Sequence, residues 1–300
     1  MRRFRSCIDR SFVAAALVVA AALATAPVQA QDDFAASMGI WSSGKLLMWS
    51  GQTEPGGPPG RDEPLVSDRP DFTEASTTVG RGVTQLEMGY TLFADDGGGV
   101  RTRSHSYPEL LARIGVLADW LELRVAWNNA SLNENFNFVS RSVSGSEDLY
   151  LGAKFALTSQ FGILPEMVLL PQMTVPTGHP ELTAGKVLPG LSWLYGWDVL
   201  EWLTFAGSTQ ANMAVDDVDD YLEFAQSLTI GYSLTERLGA YTEWFMFAPA
   251  GAITARAQHN VDGGFTYRVT NDFQLDIRAG LGLSEASDDY FVGSGLVVRF

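Results

Sequence analysis

Apolar and polar side chains alternate with a period of two over most of the chain after residue 82. In residues 85–92, large leucine, methionine and tyrosine side chains occupy every second position, and polar or small residues lie between them. The pattern returns at 121–128 and again at 273–282. Alternation of this kind is typical of a β-strand with one apolar and one polar face. It predicts an all-β fold for this part of the chain.

Twelve alternating segments follow one another up to the last residue. We expect strands at 83–93, 104–116, 120–129, 147–157, 164–175, 190–199, 202–213, 221–231, 237–247, 256–267, 273–283 and 290–300. Their lengths are close to the roughly 9 to 11 residues that a tilted strand needs to cross a bilayer. The lengths therefore favour strands that span a membrane.

The predicted connections alternate between two kinds. Some are tight, such as 117–120 and 269–272. The others are longer and more acidic or richer in glycine: 94–99, 130–146, 176–189 and 215–220. Short periplasmic turns and longer external loops are typical of outer-membrane barrels, whereas a soluble β-sandwich has no reason to alternate its loops by side. We therefore predict a membrane-spanning antiparallel up-and-down β-barrel of about 12 strands over residues 83–300.

The chain ends inside an alternating segment, on Phe300. In a closed barrel the last strand pairs with the first, and lipid covers the outward apolar face, so no tail is needed. We expect Phe300 in an aromatic girdle at the periplasmic interface, with Trp120, Trp202 and Phe273 at the same level. A terminal Phe on such a strand also resembles the assembly signal by which the barrel-assembly machinery recognises outer-membrane proteins.

The first thirty residues are typical of a secretory signal peptide. Four arginines lie in the first ten residues, a short apolar run covers 12–23, and Val28-Gln29-Ala30 is a small-x-small cleavage site. The apolar run is too short to cross the bilayer as a helix. Residues 1–30 thus predict export, and the barrel pattern predicts the outer membrane of a Gram-negative-type bacterium as the destination, with outer-membrane lipid around it.

Charge excludes one class of partner. The formal net charge is −15, and it becomes more negative without the arginine-rich leader. Because phosphates would be repelled, we expect no nucleic acid partner. The only cysteine, Cys7, lies within the leader.

Residues 31–82 are expected to form a separate N-terminal segment. They contain a Pro- and Gly-rich linker at 54–60, which cannot form a helix or an interior strand. We expect the segment to be either periplasmic or packed in the lumen.

Several stretches carry a family resemblance. The most specific is Asp68-Arg69-Pro70-Asp71-Phe72-Thr73-Glu74, and it is accompanied by 85–90, 145–154, 170–178 and 275–300. These stretches resemble outer-membrane proteins of the meta-pathway of phenol degradation family, over most of residues 66–300. The resemblance implies a transporter-type outer-membrane barrel, loosely associated with the catabolism of aromatic compounds, without a defined substrate or set of binding residues.

Charged residues on the polar faces are candidates for the lining of a pore. They carry both signs of charge: Glu87, Glu109, Arg113, Glu122, Arg124, Lys154, Glu166, Glu243, Asp276 and Arg278. Paired across strands, they could line a water-filled path and select solutes by size and charge. The alternative is that they pair with one another and fill the lumen as a structural network.

A second charged group precedes the first strand. Asp68, Arg69, Asp71 and Glu74 could fold into the periplasmic mouth and pair with charges of the lumen, which would narrow the channel. The alternative is a solvated linker ahead of the strand.

No motif predicts catalysis, a metal site or a cofactor. The three histidines are scattered, and no serine, histidine and acid recur at the spacing of a nucleophilic site. We therefore expect a non-enzymatic outer-membrane channel or transporter for small molecules, with aromatic or apolar compounds as candidate solutes. The competing hypothesis is a closed structural or surface-interaction barrel without transport activity.

Overall fold

The computed structural model of the chain describes residues 58–97, 99–136, 139–216 and 218–300. The predicted signal peptide, residues 1–30, and the first part of the predicted N-terminal segment, 31–57, lie outside these residues. Thirteen strands are found in the described part: β1 Thr84–Asp95, β2 Val100–Gly115, β3 Leu121–Phe136, β4 Val139–Ser146, β5 Leu149–Thr158, β6 Glu166–Val175, β7 Leu188–Leu200, β8 Leu203–Val215, β9 Asp220–Ser233, β10 Leu238–Ala250, β11 Gln258–Thr270, β12 Phe273–Gly282 and β13 Tyr290–Arg299.

The strands form one antiparallel sheet that closes on itself. Each strand from β5 onward pairs with the next, and β13 pairs with β1 from Gln85↔Arg299 to Ala94↔Tyr290. Both β4 and β5 pair with β3. β5 lies beside the first half of β3 and β4 beside its second half, so the two strands together occupy one position in the barrel. The predicted all-β barrel of 12 strands is therefore confirmed. Within the described ranges, no helix is long and apolar enough to cross a membrane.

One predicted loop is wrong. Residues 130–146 were expected to be an external loop, but β3 continues to Phe136 and β4 returns along it, from Phe136↔Val139 to Asn129↔Ser146. The hairpin continues past the point where β5 and β6 stop pairing, at Leu149↔Val175. Its sequence is rich in Asn and Ser on both faces. A hairpin that has water on both sides needs no apolar face, so the period-two signal is lost there.

The two faces of the wall have opposite chemistry. On β12, Ile277 and Leu281 point outward and each is 57% exposed, whereas Gln274 and Asp276 point inward and are buried. Large apolar side chains on the outside and polar ones inside are what a barrel surrounded by lipid requires. Phe300 also lies on the outer face, and its backbone closes the barrel by exchanging two hydrogen bonds with Thr84.

The chain enters the barrel at the end where β1 begins and β13 ends. There the Arg299 side chain donates hydrogen bonds to the carbonyl oxygens of Gly60, Arg61 and Glu63. The turn before β12 adds a bond from Leu65 N to Asn271 O of 2.8 Å. Residues 60–65 are thus fixed to the last two strands before the chain turns into the lumen.

The outward face gives a first prediction. Ile277→Arg should destabilise the folded barrel by about 2–4 kcal/mol, because it places a charge against lipid near the middle of the membrane. Ile277→Leu, which keeps an apolar side chain, should leave stability nearly unchanged. Urea unfolding in liposomes of the two variants would test this, and equal stabilities would show that residue 277 does not face lipid.

Candidate functional site

Residues 65–79, here called the lumen segment, lie inside the barrel. The Ser67 hydroxyl bonds to Glu87 on β1, and the Ser76 hydroxyl bonds to Glu166 on β6. The Thr73 hydroxyl is 2.6 Å from that of Ser227 on β9. Since β1, β6 and β9 are well separated around the wall, the segment must cross the interior to reach them all. Leu65, Thr73 and Val79 are correspondingly buried.

Asp68 lies at the centre of the largest group of buried charges. Its carboxylate is 2.8 Å from Nζ of Lys154 and 2.5 Å from Nη1 of Arg124. Nη1 of Arg113 lies 3.3 Å away. Burial acts to raise the pKa of Asp68, but the three cations outweigh it and hold that pKa below its usual value of 3.8. The lumen segment thus supplies an anion to three strands whose inward side chains are cations.

The same cations are shared with acids of the wall. Arg113 Nε is 2.9 Å from Glu122, and Arg113 Nη1 is 3.1 Å from Glu87. Glu122 also accepts a 2.9 Å hydrogen bond from the backbone N–H of Val79. Removing one partner from a buried ion pair costs about 3–5 kcal/mol because the other charge is left uncompensated. Wall and segment are therefore stabilised by one shared network.

Arg69 binds at the seam where the barrel closes. It forms a 2.7 Å ion pair with Glu109 and two 3.2 Å hydrogen bonds with the carboxylate of Asp276. The guanidinium lies against Gly89 of β1 and Gly295 of β13, which pair across the seam. A Cβ atom at either glycine would come within 2.3 Å of the Arg69 side chain. A side chain at either inward position would therefore displace the Arg69 guanidinium from the seam.

The next residues of the segment attach to β10 and β12. Both carboxylate oxygens of Glu243 on β10 accept backbone hydrogen bonds, from Phe72 N at 2.6 Å and Thr73 N at 2.7 Å. On β12, Arg278 donates a 2.9 Å bond to the carbonyl oxygen of Pro70. Side chains of the wall thus satisfy backbone groups of a segment that has no regular secondary structure of its own, as a buried backbone requires.

All ten candidate pore-lining residues face the interior and contact the lumen segment. The contacts described above include all ten. In addition, Lys154 donates to the carbonyl oxygen of Ala75, and Arg124 binds Glu74 at 2.8 Å. Each of them binds the lumen segment in this structure, and their role in lining a pore stays a prediction. Asp68, Arg69 and Glu74 of the second charged group lie in the lumen itself.

A cluster of aromatic side chains also faces inward. Phe72 of the lumen segment stacks on Phe245 of β10 at 4.8 Å and meets Phe247 edge-on at 5.3 Å. Phe291 of β13 lies 6.2 Å from Phe245 and 5.7 Å from Phe93 of β1. Part of the interior between β10 and β1 is therefore lined with apolar rings.

Sequence reasoning missed this cluster and the two glycines, although each had a signal. On β10, large apolar residues follow one another without a break from Trp244 to Phe247, so two inward positions there are apolar as well as the outward ones. Gly89 and Gly295 stand at inward positions of paired strands, and glycine inside a strand often marks the close approach of another group. Which group approaches could not be known from the sequence.

The described residues hold no group of three or more His, Cys, Asp or Glu side chains placed to bind a metal ion. The histidines stay apart: His105 bonds to the Tyr90 hydroxyl at 2.8 Å, and His259 stacks on Trp244. The chemistry of the interior is therefore that of hydrogen bonds, ion pairs and aromatic contacts.

Comparisons with known proteins agree with this architecture. Residues 67–300 match the sequence model of a family described as "Putative MetA-pathway of phenol degradation". The fold is similar to that of the COG4313 outer membrane channel from Pseudomonas putida F1, with a TM-score of 0.57 and 16% identity over 83% of this chain and 100% of that one. The translocator domain of the autotransporter NalP from Neisseria meningitidis gives a TM-score of 0.46 and 11% identity, over 73% of this chain and 87% of that one. No curated protein matches the chain in sequence.

Asp71 gives a prediction about pH. Its separation from bulk water and the charge of Glu243 raise the pKa of Asp71 well above 3.8, with further contributions from Asp262 and Asp68. A raised folded-state pKa means that the acid favours the folded state when protonated, and that this stability is lost as pH rises through the raised pKa. Asp71→Asn should therefore gain stability over the native chain as pH increases.

Thermal unfolding of both proteins in micelles from pH 5 to pH 9 would measure the difference. Asp62→Asn, at an exposed position just before the lumen segment, is the matched control and should follow the native chain at every pH. Parallel curves for Asp71→Asn and the native chain would contradict the prediction.

Proposed function

We propose that this chain, which belongs to the MetA-pathway of phenol degradation family, is an outer-membrane channel for small apolar or aromatic molecules. The observation that carries the proposal is the aromatic cluster of Phe72, Phe93, Phe245, Phe247 and Phe291 inside a barrel whose other inward side chains are mostly polar. Inward-facing rings offer stacking and apolar contact to a solute that reaches them.

The way in which the lumen segment is held supports a path that the segment controls. Its contacts with the wall are chiefly ion pairs and hydrogen bonds, apart from the stacking of Phe72. Polar contacts can be exchanged for water where water reaches them, whereas apolar burial cannot. A segment attached in this way would be able to shift when water enters the lumen, without unfolding the barrel.

The competing hypothesis, a closed structural barrel, is supported by the ion pairs around Asp68. Asp68 and Arg113 are both buried, and Arg113 donates hydrogen bonds to Glu122 and to Glu87. Under this hypothesis the lumen segment is a permanent part of the core, and the barrel would conduct nothing.

The current through a barrel whose lumen segment is held less firmly separates the two hypotheses. Arg69→Met removes the ion pair with Glu109 and the bonds to Asp276, and leaves both carboxylates without this cation. In planar bilayers the native barrel should give small unitary currents, and Arg69→Met should give currents several-fold larger. Arg103→Met, which removes an arginine bonded to Asp96 near the exposed loops, is the control and should match the native chain.

The solute class is tested in the same bilayers. A small neutral aromatic compound added to the bath should reduce the current through Arg69→Met, because its ring binds among the inward rings. Phe245→Ser should weaken this block. If neither the native chain nor Arg69→Met conducts ions at any salt concentration, the barrel is closed and the channel hypothesis is wrong.

A further inference from the structure

The outward face of β2 and β3 changes from apolar to polar along each strand. Leu123, Val125 and Trp127 of β3 point outward and are exposed, as does Tyr107 of β2. Aromatic side chains mark the edges of the lipid-covered band of a barrel. With Phe300 at the periplasmic end, as predicted, the outward positions beyond Tyr107 and Trp127 lie in the hydrated head-group layer of the outer leaflet.

Beyond these aromatic residues, three strands form one polar surface. Directly paired residues point to the same side of a sheet, and so do residues two apart along a strand. Asn133 therefore shares the face of Trp127, and it pairs with Arg103 of β2 and Ser142 of β4. The next outward row is built in the same way. The two rows, here called the outer patch, consist of Arg103, Asn133 and Ser142, followed by Arg101, Asn135 and Ser140.

The two arginines of the outer patch share one acid. Arg103 donates to both carboxylate oxygens of Asp96, at 3.0 and 3.3 Å, and Arg101 Nε lies 3.2 Å from the same group. The Arg101 side chain is 67% exposed, and among the described residues no hydrogen bond reaches its two terminal nitrogens. Guanidinium nitrogens bind phosphate oxygens well, so Arg101 is open to an anion.

The nearest acids lie on one side of the outer patch. Asp289 accepts a 2.9 Å hydrogen bond from Asp96 N, and it belongs to the loop before β13, on the far side of β1 from β2. β3 and β4 extend in the other direction, and their outward positions carry no acid. An anion between Arg101 and β3 thus meets a cation and neutral donors.

The neutral part of the outer patch is suited to sugar hydroxyls. Amide and hydroxyl side chains both donate and accept hydrogen bonds. Asn133 Oδ1 accepts a 2.9 Å bond from the Ser142 hydroxyl, which leaves the Asn133 amide nitrogen as a donor. A head group with phosphate alone would leave this part to water, and one with an amine alone would be repelled by the arginines.

We propose that the outer patch binds the head group of a lipid that carries phosphate on a sugar. Its acyl chains lie against the apolar band below Tyr107 and Trp127, its phosphate contacts Arg101, and its sugar hydroxyls bond to the Asn and Ser side chains. The occupant is a lipid because the patch continues directly from the face that lipid covers. The proposal concerns the outer surface and is independent of transport through the lumen.

Three lipid probes test the head group. They are a diphosphorylated, acylated glucosamine disaccharide, a galactosyl diacylglycerol, which has sugar without phosphate, and phosphatidylglycerol, which has phosphate without a sugar ring. Native mass spectrometry of the full chain in uncharged micelles, with EDTA to exclude bridging metal ions, would give each dissociation constant. The phosphorylated disaccharide should bind about tenfold more tightly than either other lipid. Equal binding of the three lipids would overturn the proposal.

Variants of opposite effect test the location. Arg101→Gln should weaken binding of the phosphorylated disaccharide about tenfold, whereas Asp96→Asn, which removes the competing carboxylate, should strengthen it several-fold. Asn133→Ala should weaken binding of the disaccharide and leave that of phosphatidylglycerol unchanged. Arg256→Gln is the matched control, since Arg256 is an exposed arginine in the loop between β10 and β11, and it should bind as the native chain does.

Two results would contradict the site. Equal losses for Arg101→Gln and Arg256→Gln would show that the lipid responds only to the overall charge of the barrel. A native barrel that is dimeric in the same spectra, and monomeric after Arg101→Gln, would show that a second copy of the chain covers the outer patch in place of lipid.

Discussion

Charge neutralisation inside a closed wall is the constraint on which the rest of this structure depends. Lipid covers the outer face, so charged side chains at the depth of the membrane point inward. Arg113, Arg124 and Lys154 are consequently placed together on neighbouring strands, where they would repel one another. Asp68, from outside the barrel strands, contacts all three cations and adds to the neutralisation by Glu87 and Glu122 of the wall. The course of residues 65–79 follows from where such partners are found.

The architecture was predictable because the alternation of side chains is imposed by the two environments of the wall. Wherever a strand has lipid on one side, as at residues 273–282, the sequence shows it. In the hairpin of β3 and β4 both faces meet water, so lipid does not impose an apolar outward face there. A loop was therefore predicted in place of the hairpin. The interruption between β4 and β5 was equally hidden, because Glu147 and Asp148 are as compatible with a turn as with a strand.

The interior was predictable in composition but not in arrangement. Inward charges follow from the parity of each strand, and so Glu87, Glu122 and Asp276 could be named. Their partners could not, because Asp68 and Lys154 are 86 residues apart in sequence, and Arg69 and Asp276 are 207 apart. Contacts at such separations depend on the path of a segment without periodic structure. The inward rings of β10 were missed because apolar residues on both faces of a strand hide which face is which.

The pairing of Gly89 with Gly295 means that the first and last strands together form a binding surface that neither of them has alone. The guanidinium of Arg69 lies against Gly89 of β1 on one side of the seam and against Gly295 of β13 on the other. If the two strands are apart, the guanidinium has only half of this surface, and when they meet it gains both halves together with Ser294 O as an acceptor. A single cation therefore contacts both strands of the closing pair, and it links the position of the N-terminal chain to the pairing of β1 with β13.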